Sequence, residues 1–564
     1  MTVTPTYPGV YIQELPSLVH TITPAPTSIA VFVGYTHPFL TKSFQTEPSE
    51  PTPATQLFSF ADYQRIFGGF FSSPWLPDYV GQAVSQFFQN GGPTCYVVGI
   101  PAQEYLSGGE SIGDVVKARV DVQFGADTVT FQALQPVGIP AVAATSSSAS
   151  GTPAVGTPMQ VTFSNAKNST ADVPSPTLSD PFNLADIIVT YGTTVETYRR
   201  VQLANLVTAL QNSNLVTVTP STSSLVTYPA GGSFPLAYAS TPAADWTIIN
   251  KDDFGQVFAE NASLDKVPIF NLLVTPGITD LEVTSEAVAY CERKRAFYIM
   301  DTPSPSVLTP PLTTPPTVPP PPQADPTWGV DNLVQDAAAT LSEDFPLSTN
   351  AALYYPWLVT TDPVTGAPST APPSGFVAGM YGQEDNARGV WKSPAGIETA
   401  LLGTAGVDPN GVMTDNQQGV FNTNALDCLR QFPGIGTVIY GARTTAAANP
   451  AYQQWKYVAV RRMALFIEQT LYANLTWAVF EGNSTPLWNA LTQEVTAFML
   501  TLFRQNAFAG DTPSQAFLVQ CDATTTTPTD QANGIVNILV GFAPLLPAEF
   551  VVVQIAQLAG QAQS

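Results

Sequence analysis

The chain has 564 residues, 11% of them charged, and a formal net charge of −23. Ordinary soluble domains carry about 25% charged residues; here Ser, Thr, Asn and Gln supply the polarity, and the acidity argues against nucleic acid and anionic membrane as partners. The length predicts several domains or one large core with insertions, and no run of about 18 apolar residues predicts a membrane span.

The first predicted element lies in "PGVYIQELPS", residues 8–17. It reads as a strand over 10–15. Val10, Ile12 and Glu14 point one way, Tyr11, Gln13 and Leu15 the other, and Pro8 and Pro16 fence it. Chain termini are usually frayed and polar, and this strand has no partner nearby in sequence. No basic region and apolar run mark a secretory signal, so folding in the cytoplasm is expected.

Residues 23–102 alternate strands and helices. "SIAVFVGY" (28–35) is an apolar strand. "FSFADYQRIFGG" (58–69) is a short helix closed by Gly68 and Gly69. "LPDYVGQAVSQFFQNGG" (76–92) is a second helix, with Val80, Ala83, Val84, Phe87 and Phe88 as its apolar stripe. "TCYVVGI" (94–100) is again a strand, which makes an α/β layer. Residues 103–255 change to Ser, Thr, Ala, Val and Pro. Short runs such as "VDVQF", "TVTFQAL" and "MQVTFS" predict strands, with one helix near 198–211. This segment reads as an inserted β-rich domain or a set of surface loops.

The α/β pattern returns with a buried strand in 267–277, a helix over 281–296 and a strand over 297–301. Residues 303–326 then hold 11 prolines in 24 positions, which predicts an extended surface loop. The C-terminal third is the most regular. Residues 457–475 predict a helix with Val460, Met463, Ile467, Leu471 and Leu475 on one face. Residues 485–508 predict another, capped by Thr485 with Pro486 in its first turn. Leu487, Leu491, Val495, Phe498 and Leu502 form its stripe. Strands follow in "FLVQCD", "GIVNILVGFAP" and, last, "PAEFVVVQIAQ".

The search for chemistry mostly eliminates. His20 and His37 are the only histidines. There is no H-E-x-x-H, phosphate loop or dinucleotide fingerprint. Cys95, Cys291, Cys428 and Cys521 form no C-x-x-C pair, so no zinc or redox site is encoded. Glu384 and Asp385 are the best candidates for paired carboxylates, with a loop or salt-bridge role beside Arg388 as the plainer reading. Arg293, Lys294 and Arg295 read as a solvated helix end. Charge is uneven along the chain. Residues 388–564 carry 11 acidic and 8 basic side chains, net −3, which leaves 32 and 12, net −20, for residues 1–387.

Several stretches together carry a resemblance. They include "YPGVYIQELPS" with "SIAVFVGYT", then "FFQNGGPTCYVV" and "PGITDLEVTSEAVAYCE". They continue through "PPSGFVAGMYGQEDNARGVWKSPAG", "RQFPGIGTVIYGART" and "WKYVAVRRMALFIEQTL" to the C-terminal "AFLVQCD…FVVVQI". In this order the chain resembles the contractile tail sheath proteins of myovirus-type phages and tail-like injection particles, over roughly 1–102 and 267–560. The resemblance implies an α+β, multi-domain sheath subunit, built on a discontinuous α/β core with an inserted β-rich domain and terminal strand arms. The expected parts are an N-terminal arm (1–22), core segments (23–102, 256–302, 351–546), the insertion (103–255), a Pro-rich surface insertion (303–350) and a C-terminal arm (547–564).

It further implies hexameric rings stacked into a helical sheath around an inner tube, and contraction that drives the tube through a target envelope. Inner tube, baseplate and tail-terminator proteins are the implied partners. No cofactor, metal, nucleic acid, catalytic residue or direct membrane insertion is expected. Arms of such sheaths add strands to neighbouring subunits, which would explain the isolated strand near the start. Val10, Tyr11, Ile12, Phe550, Val551, Val552 and Ile555 are the expected arm residues. Lys456, Arg461, Arg462 and Arg504 are candidates to face the tube, each with an internal salt bridge or a sheath–sheath contact as the alternative. A hydrolase using Glu384 and Asp385, and a surface adhesin or carbohydrate binder built on the Thr-rich segment, remain as other classes.

Overall fold

The computed structural model describes residues 21–47, 49–73, 76–106, 111–114, 117–136, 159–167, 183–192, 194–221, 225, 227–229, 231–236, 246–247, 252–306, 326–550 and 552–554. Among them are two compact units: one of residues 27–387 and 394–458, the other of 21–26, 388–393 and 459 onward.

The first unit is built on an eight-stranded sheet. Its strands are β1 (Ile29–Tyr35), β2 (Thr55–Leu57), β3 (Thr94–Ile100), β4 (Leu272–Val274), β5 (Phe297–Asp301), β6 (Ala351–Tyr355), β7 (Leu426–Phe432) and β8 (Gly436–Ile439). The order across the sheet is β2-β3-β1-β4-β5-β6-β7-β8. The six inner strands are parallel; β2 and β8 close the edges antiparallel. Parallel sheets are covered on both faces, so their strands read as unbroken apolar runs. Every residue of β4, β5 and β6 is buried.

Helices of this unit include α1 (Phe60–Phe67), α2 (Tyr79–Gln89), α3 (Leu281–Lys294), α4 (Val330–Asp344) and α5 (Ser374–Arg388). Ser59 caps α1 by accepting the Asp62 N–H, and Asp78 caps α2 by accepting the Gly81 N–H at 3.0 Å. Gly68 ends α1 at φ +86°, where a Cβ would sit 2.4 Å from that of Leu40. Helix α5 lies unusually close to α2. A Cβ on Gly375 would come 2.5 Å from the Ala83 Cα, and one on Gly379 would come 2.6 Å from the Phe87 carbonyl oxygen. The run "GFVAGMYG" thus sets small residues where two backbones meet. Asp301, at the end of β5, ties this layer together. It accepts N–H groups of Gly277 and Ser374 at 2.9 and 2.8 Å and the Ser374 hydroxyl at 2.6 Å. Burial nevertheless pushes its carboxyl up to about 6.

Between β3 and β4 the described residues form antiparallel strands. Thr194–Gln202, Leu184–Tyr191, Met159–Lys167 and Gly232–Pro235 make one sheet; Val216–Pro220, Asp127–Ala133 and Arg119–Phe124 make another. The two share an apolar cluster in which Phe163 of the first meets Phe124 and Phe131 of the second edge-on, at 5.6 and 5.7 Å.

Several sequence expectations change. The helix expected near 198–211 is strand up to Gln202, and only Leu206–Leu210 is α-helical; Thr194–Tyr198 alternates half-buried and exposed side chains, which suits a strand. The stretch 303–350 is not surface insertion throughout. Helix α4 puts Val330, Leu333, Ala337 and Leu341 into the main core, beside Trp328 and Phe345. Its apolar spacing was masked by the proline-rich run before it. Glu384 and Asp385 stand on helix α5, not in a loop.

The second unit holds two long helices, α6 (Val458–Asn474) and α7 (Thr485–Arg504), and a two-stranded ribbon, β9 (Phe517–Gln520) and β10 (Leu539–Phe542). All five expected stripe residues of α7 are buried. On α6, Val460, Met463 and Ile467 are buried, while Leu471 and Leu475 are half-buried against the same cluster. The α7 cap position falls on Ser484, one residue earlier than expected, and its side chain makes no cap bond; Pro486 sits in the first turn.

Candidate assembly surfaces

The ribbon β9–β10 is the feature most exposed to pairing. It pairs in the register Phe517↔Phe542 to Gln520↔Leu539, and no third strand joins it among the described residues. Ala543 donates to the Ala516 carbonyl at 2.8 Å. Antiparallel pairs alternate between bonded and non-bonded positions, so the backbone groups of Phe517 and Val519 on β9, and of Val540 and Phe542 on β10, turn toward the outer edges. One side of the ribbon is anchored, with Phe517, Val519, Val540 and Phe542 packed against the α6–α7 cluster. Leu518 and Leu539 are each 51% exposed. Two-stranded ribbons are marginal alone, and open edges are templates for another strand.

Downstream, Leu546 is 66% exposed, Phe550 75% and Val552 81%. Residues 545–550 have no regular secondary structure, so the strand expected in "PAEFVVVQIAQ" is not made with this chain's own described residues. Val551 and Ile555 lie outside the described residues, as do Val10, Tyr11 and Ile12.

The segment leading from the N-terminus is pinned. Ile22 packs against the α6–α7 cluster, and Ala25 donates to the Thr470 hydroxyl at 3.0 Å. That anchorage places the root of the N-terminal segment at the end of α6.

The four cations differ in exposure. Arg504, in the last turn of α7, is exposed, where a cation suits the helix dipole. Lys456 is half-buried, its ammonium 5.0 Å from the Tyr457 ring centre. Arg461 is half-buried and pairs with Glu468 at 3.4 Å. Arg462 is only 3% exposed, so it is part of the interior and not a surface cation. Sequence spacing could not separate Arg461 from Arg462, because both sit on a helix whose apolar face spreads widely.

The other candidates settle into structural roles. Asp385 accepts the Ser28 hydroxyl at 3.3 Å. Lys294 pairs with Asp265 at 2.9 Å, Arg293 donates to the Phe258 carbonyl, and Arg295 takes the left-handed cap of α3 at φ +58°. His37 is fully buried, and its Nδ1 accepts the N–H groups of Phe39 and Leu40. Burial, aided by the charge of Lys117, pulls its pKa down to about 3. His20 lies outside the described residues. The four cysteines are buried free thiols, and burial raises the pKa of each. Among the described residues no group of His, Cys, Asp or Glu could hold a metal ion, and no helix is long and apolar enough to cross a membrane.

The described residues thus make a large α/β sheet with antiparallel strands between β3 and β4, and a helical unit that carries an open ribbon. The sheath of the extracellular contractile injection system PVC, in its contracted state, superposes with a TM-score of 0.52 at 21% identity over 99% of both chains. The contracted helical sheath of the anti-feeding prophage AFP superposes with a TM-score of 0.52 at 19% identity, over 98% of this chain and 100% of the other. In sequence, the chain is 26% identical over 299 residues to a prophage major tail sheath protein of Pseudomonas aeruginosa (strain UCBPP-PA14). That match takes in 51% of this chain and 66% of the relative, just under two thirds of its length. No protein-family model matches. The chain therefore has the fold of these contractile sheath proteins, and a sequence relative is a prophage tail sheath protein.

Proposed function

We propose that the protein is the structural subunit of a contractile sheath. Copies polymerise as stacked rings around an inner tube, attach to a baseplate and contract to drive the tube through a target envelope. The observation that carries the reading is the ribbon β9–β10, with both outer edges open beside an exposed, unpaired apolar run at Leu546, Phe550 and Val552. Edges and extended run are complementary halves of strand addition between copies. Main-chain bonds supply affinity there and alternate side chains supply register. The N-terminal strand around Val10, Tyr11 and Ile12 is the second donor, entering from the root that Asn474 and Thr470 hold.

Each main-chain hydrogen bond nets about 0.5–1.5 kcal/mol, and burying a Val, Ile or Phe adds about 1.5–3 kcal/mol. A strand of a few residues therefore gives several kcal/mol per link before ordering costs. Repeated in every copy, such links hold a wall together while its subunits slide. Arg504 and Lys456 are the groups proposed to touch the tube; exposed pairs contribute only about 0–1 kcal/mol each, which suits a contact that must release.

Deleting residues 1–20 or 548–564 tests the reading. Each truncated chain is expected to melt cooperatively as a soluble monomer and to form no tubes in negative-stain micrographs. Normal tubes from either truncation would place the links elsewhere. Aggregation of the truncated chain would assign the strands to its own core.

A further inference from the structure

The turn between α6 and α7 presents an aromatic side chain to solvent. Phe480 is fully exposed, at 104%, and its neighbour Val479 is 61% exposed. Phe480 also holds φ +71°, a left-handed conformation that bulky side chains rarely adopt. The turn is not loose. Trp477 donates its ring N–H to Glu494 at 3.1 Å, Glu481 donates to the Ala478 carbonyl, and Trp488 donates to Asn483 at 2.9 Å. Trp477 and Ala478 pack on Leu487, Trp488 and Leu491. A strained backbone held by its surroundings, with its aromatic side chain in water, makes this turn a candidate for a functional position.

A pocket of about 330 Å³ lies elsewhere in the fold, between the end of α4, the turn after it, and β6. Leu341, Phe345 and Leu353 form its buried floor, and Leu347, 56% exposed, stands at its rim. None of its lining residues is charged. Its polar lining is already used internally: Thr445 donates to the Pro346 and Ser348 carbonyls, and Asn424 to Val420. The volume is at the low end of small-ligand sites, which run about 300–1,000 Å³, and suits one aromatic ring.

We propose that Phe480 of one copy inserts into this pocket of a second copy. The inference rests on the sheath reading and adds to it a contact that no strand arm makes. Two arguments select a second copy as the occupant. Each chain carries a net charge of −23, so copies repel one another, and a knob and pocket free of charge make contact without adding to that repulsion. A knob on one part of a chain and its pocket on another also allow a heterologous contact, which builds an open helical array wherever its rotation does not close a ring, the symmetry the sheath reading calls for.

The test uses the full chain, co-expressed with the inner tube protein and viewed by negative stain. Phe480→Asp and Leu347→Asp are each expected to lower tube yield at least tenfold while remaining soluble and folded. Phe480→Gly separates docking from folding. Relief of the left-handed strain should leave its melting temperature equal or higher, yet tube yield should still fall.

Single-cysteine copies, Phe480→Cys mixed with Leu347→Cys, should form disulfide-linked dimers on oxidation, since the four native thiols are buried. Mixing Phe480→Cys with Leu402→Cys, another exposed position, should not. Normal tubes from Phe480→Asp, or mixed tubes without the Phe480–Leu347 cross-link, would overturn the proposal. Failure of the unmodified chain to form tubes would instead count against the sheath reading, and the cross-link in concentrated solution would still decide this contact.

Discussion

Asn474 grips the backbone of Thr23 from both sides: its Oδ1 accepts the Thr23 N–H at 2.9 Å and its Nδ2 donates to the Thr23 carbonyl at 2.8 Å. One side chain thereby imitates a strand neighbour for the first residues after the proposed N-terminal arm. Asn474→Ala should remove both bonds, at about 1–2 kcal/mol in all. The subunit should still fold, with its melting temperature lowered by a few degrees. Limited proteolysis should cut near residue 23 faster than in the unmodified chain, and tube yield should fall. Unchanged cleavage would show that Ile22 and Ala25 hold the root without Asn474.

The ribbon offers a sharper test of strand addition. Val519 turns its N–H to the outer edge of β9, so Val519→Pro removes an outward donor without removing a bond of the ribbon itself. Melting should change by less than about 1.5 kcal/mol, a single hydrogen bond's worth, while tubes are lost. Leu518→Pro removes an inward donor and should lower subunit stability as well. Equal effects of the two variants on melting would contradict the assigned edge.

Gly379 reports on the α2–α5 contact. Ala has the higher helix propensity by about 1 kcal/mol, so an exposed helix would be stabilised by Gly379→Ala. Here the added Cβ would lie 2.6 Å from the Phe87 carbonyl oxygen and 2.8 Å from the Asn90 Cβ. Overpacking of this kind costs about 1–3 kcal/mol, so urea denaturation should show net destabilisation. A more stable Gly379→Ala chain would mean that the two helices can separate at little cost.

His37 gives a pH dependence of definite sign. Its folded pKa of about 3 lies below the unfolded value of about 6.5. Between those values the unfolded chain binds the extra proton, so this group's contribution to stability falls as pH drops from 6.5 toward 3, by up to about 1.4 kcal/mol per unit. Asp78 and Asp301 oppose it. Burial raises them to about 8 and about 6, so the folded chain holds their protons and their contributions fall as pH rises from the ordinary carboxylate range. The quantity to measure is thus the difference between His37→Asn and unmodified chain. Asn can still accept the Phe39 and Leu40 N–H groups. The stability difference should shift in favour of His37→Asn as pH falls below 6.5; a constant difference would show that His37 is accessible to protons in the fold.

Much of the interior was legible in the sequence. The parallel strands announce themselves as apolar runs such as "AVFVG" and "FYIM", because both faces of the sheet are covered. The α7 stripe from Leu487 to Leu502 was legible because one face of a helix is wetted and the other is not, a difference that recurs every three to four residues.

Tertiary structure decided what depends on neighbours distant in the chain. Whether Thr194–Gln202 is helix or strand follows from its pairing with Leu184–Tyr191, which outweighs local preference. That Arg462 is buried while Arg504 is exposed follows from packing around two helices, to which residue type is blind. The small residues at 375 and 379 have meaning only once α2 lies against them, and Gly382 only once the turn at Gly91–Pro93 does. The open edges of β9 and β10 likewise depend on which other described residues lie beside them, and none of those is a third strand. A strand can be read locally from its pattern of side chains, but its partner cannot, because pairing is a contact between main chains that carry no sequence.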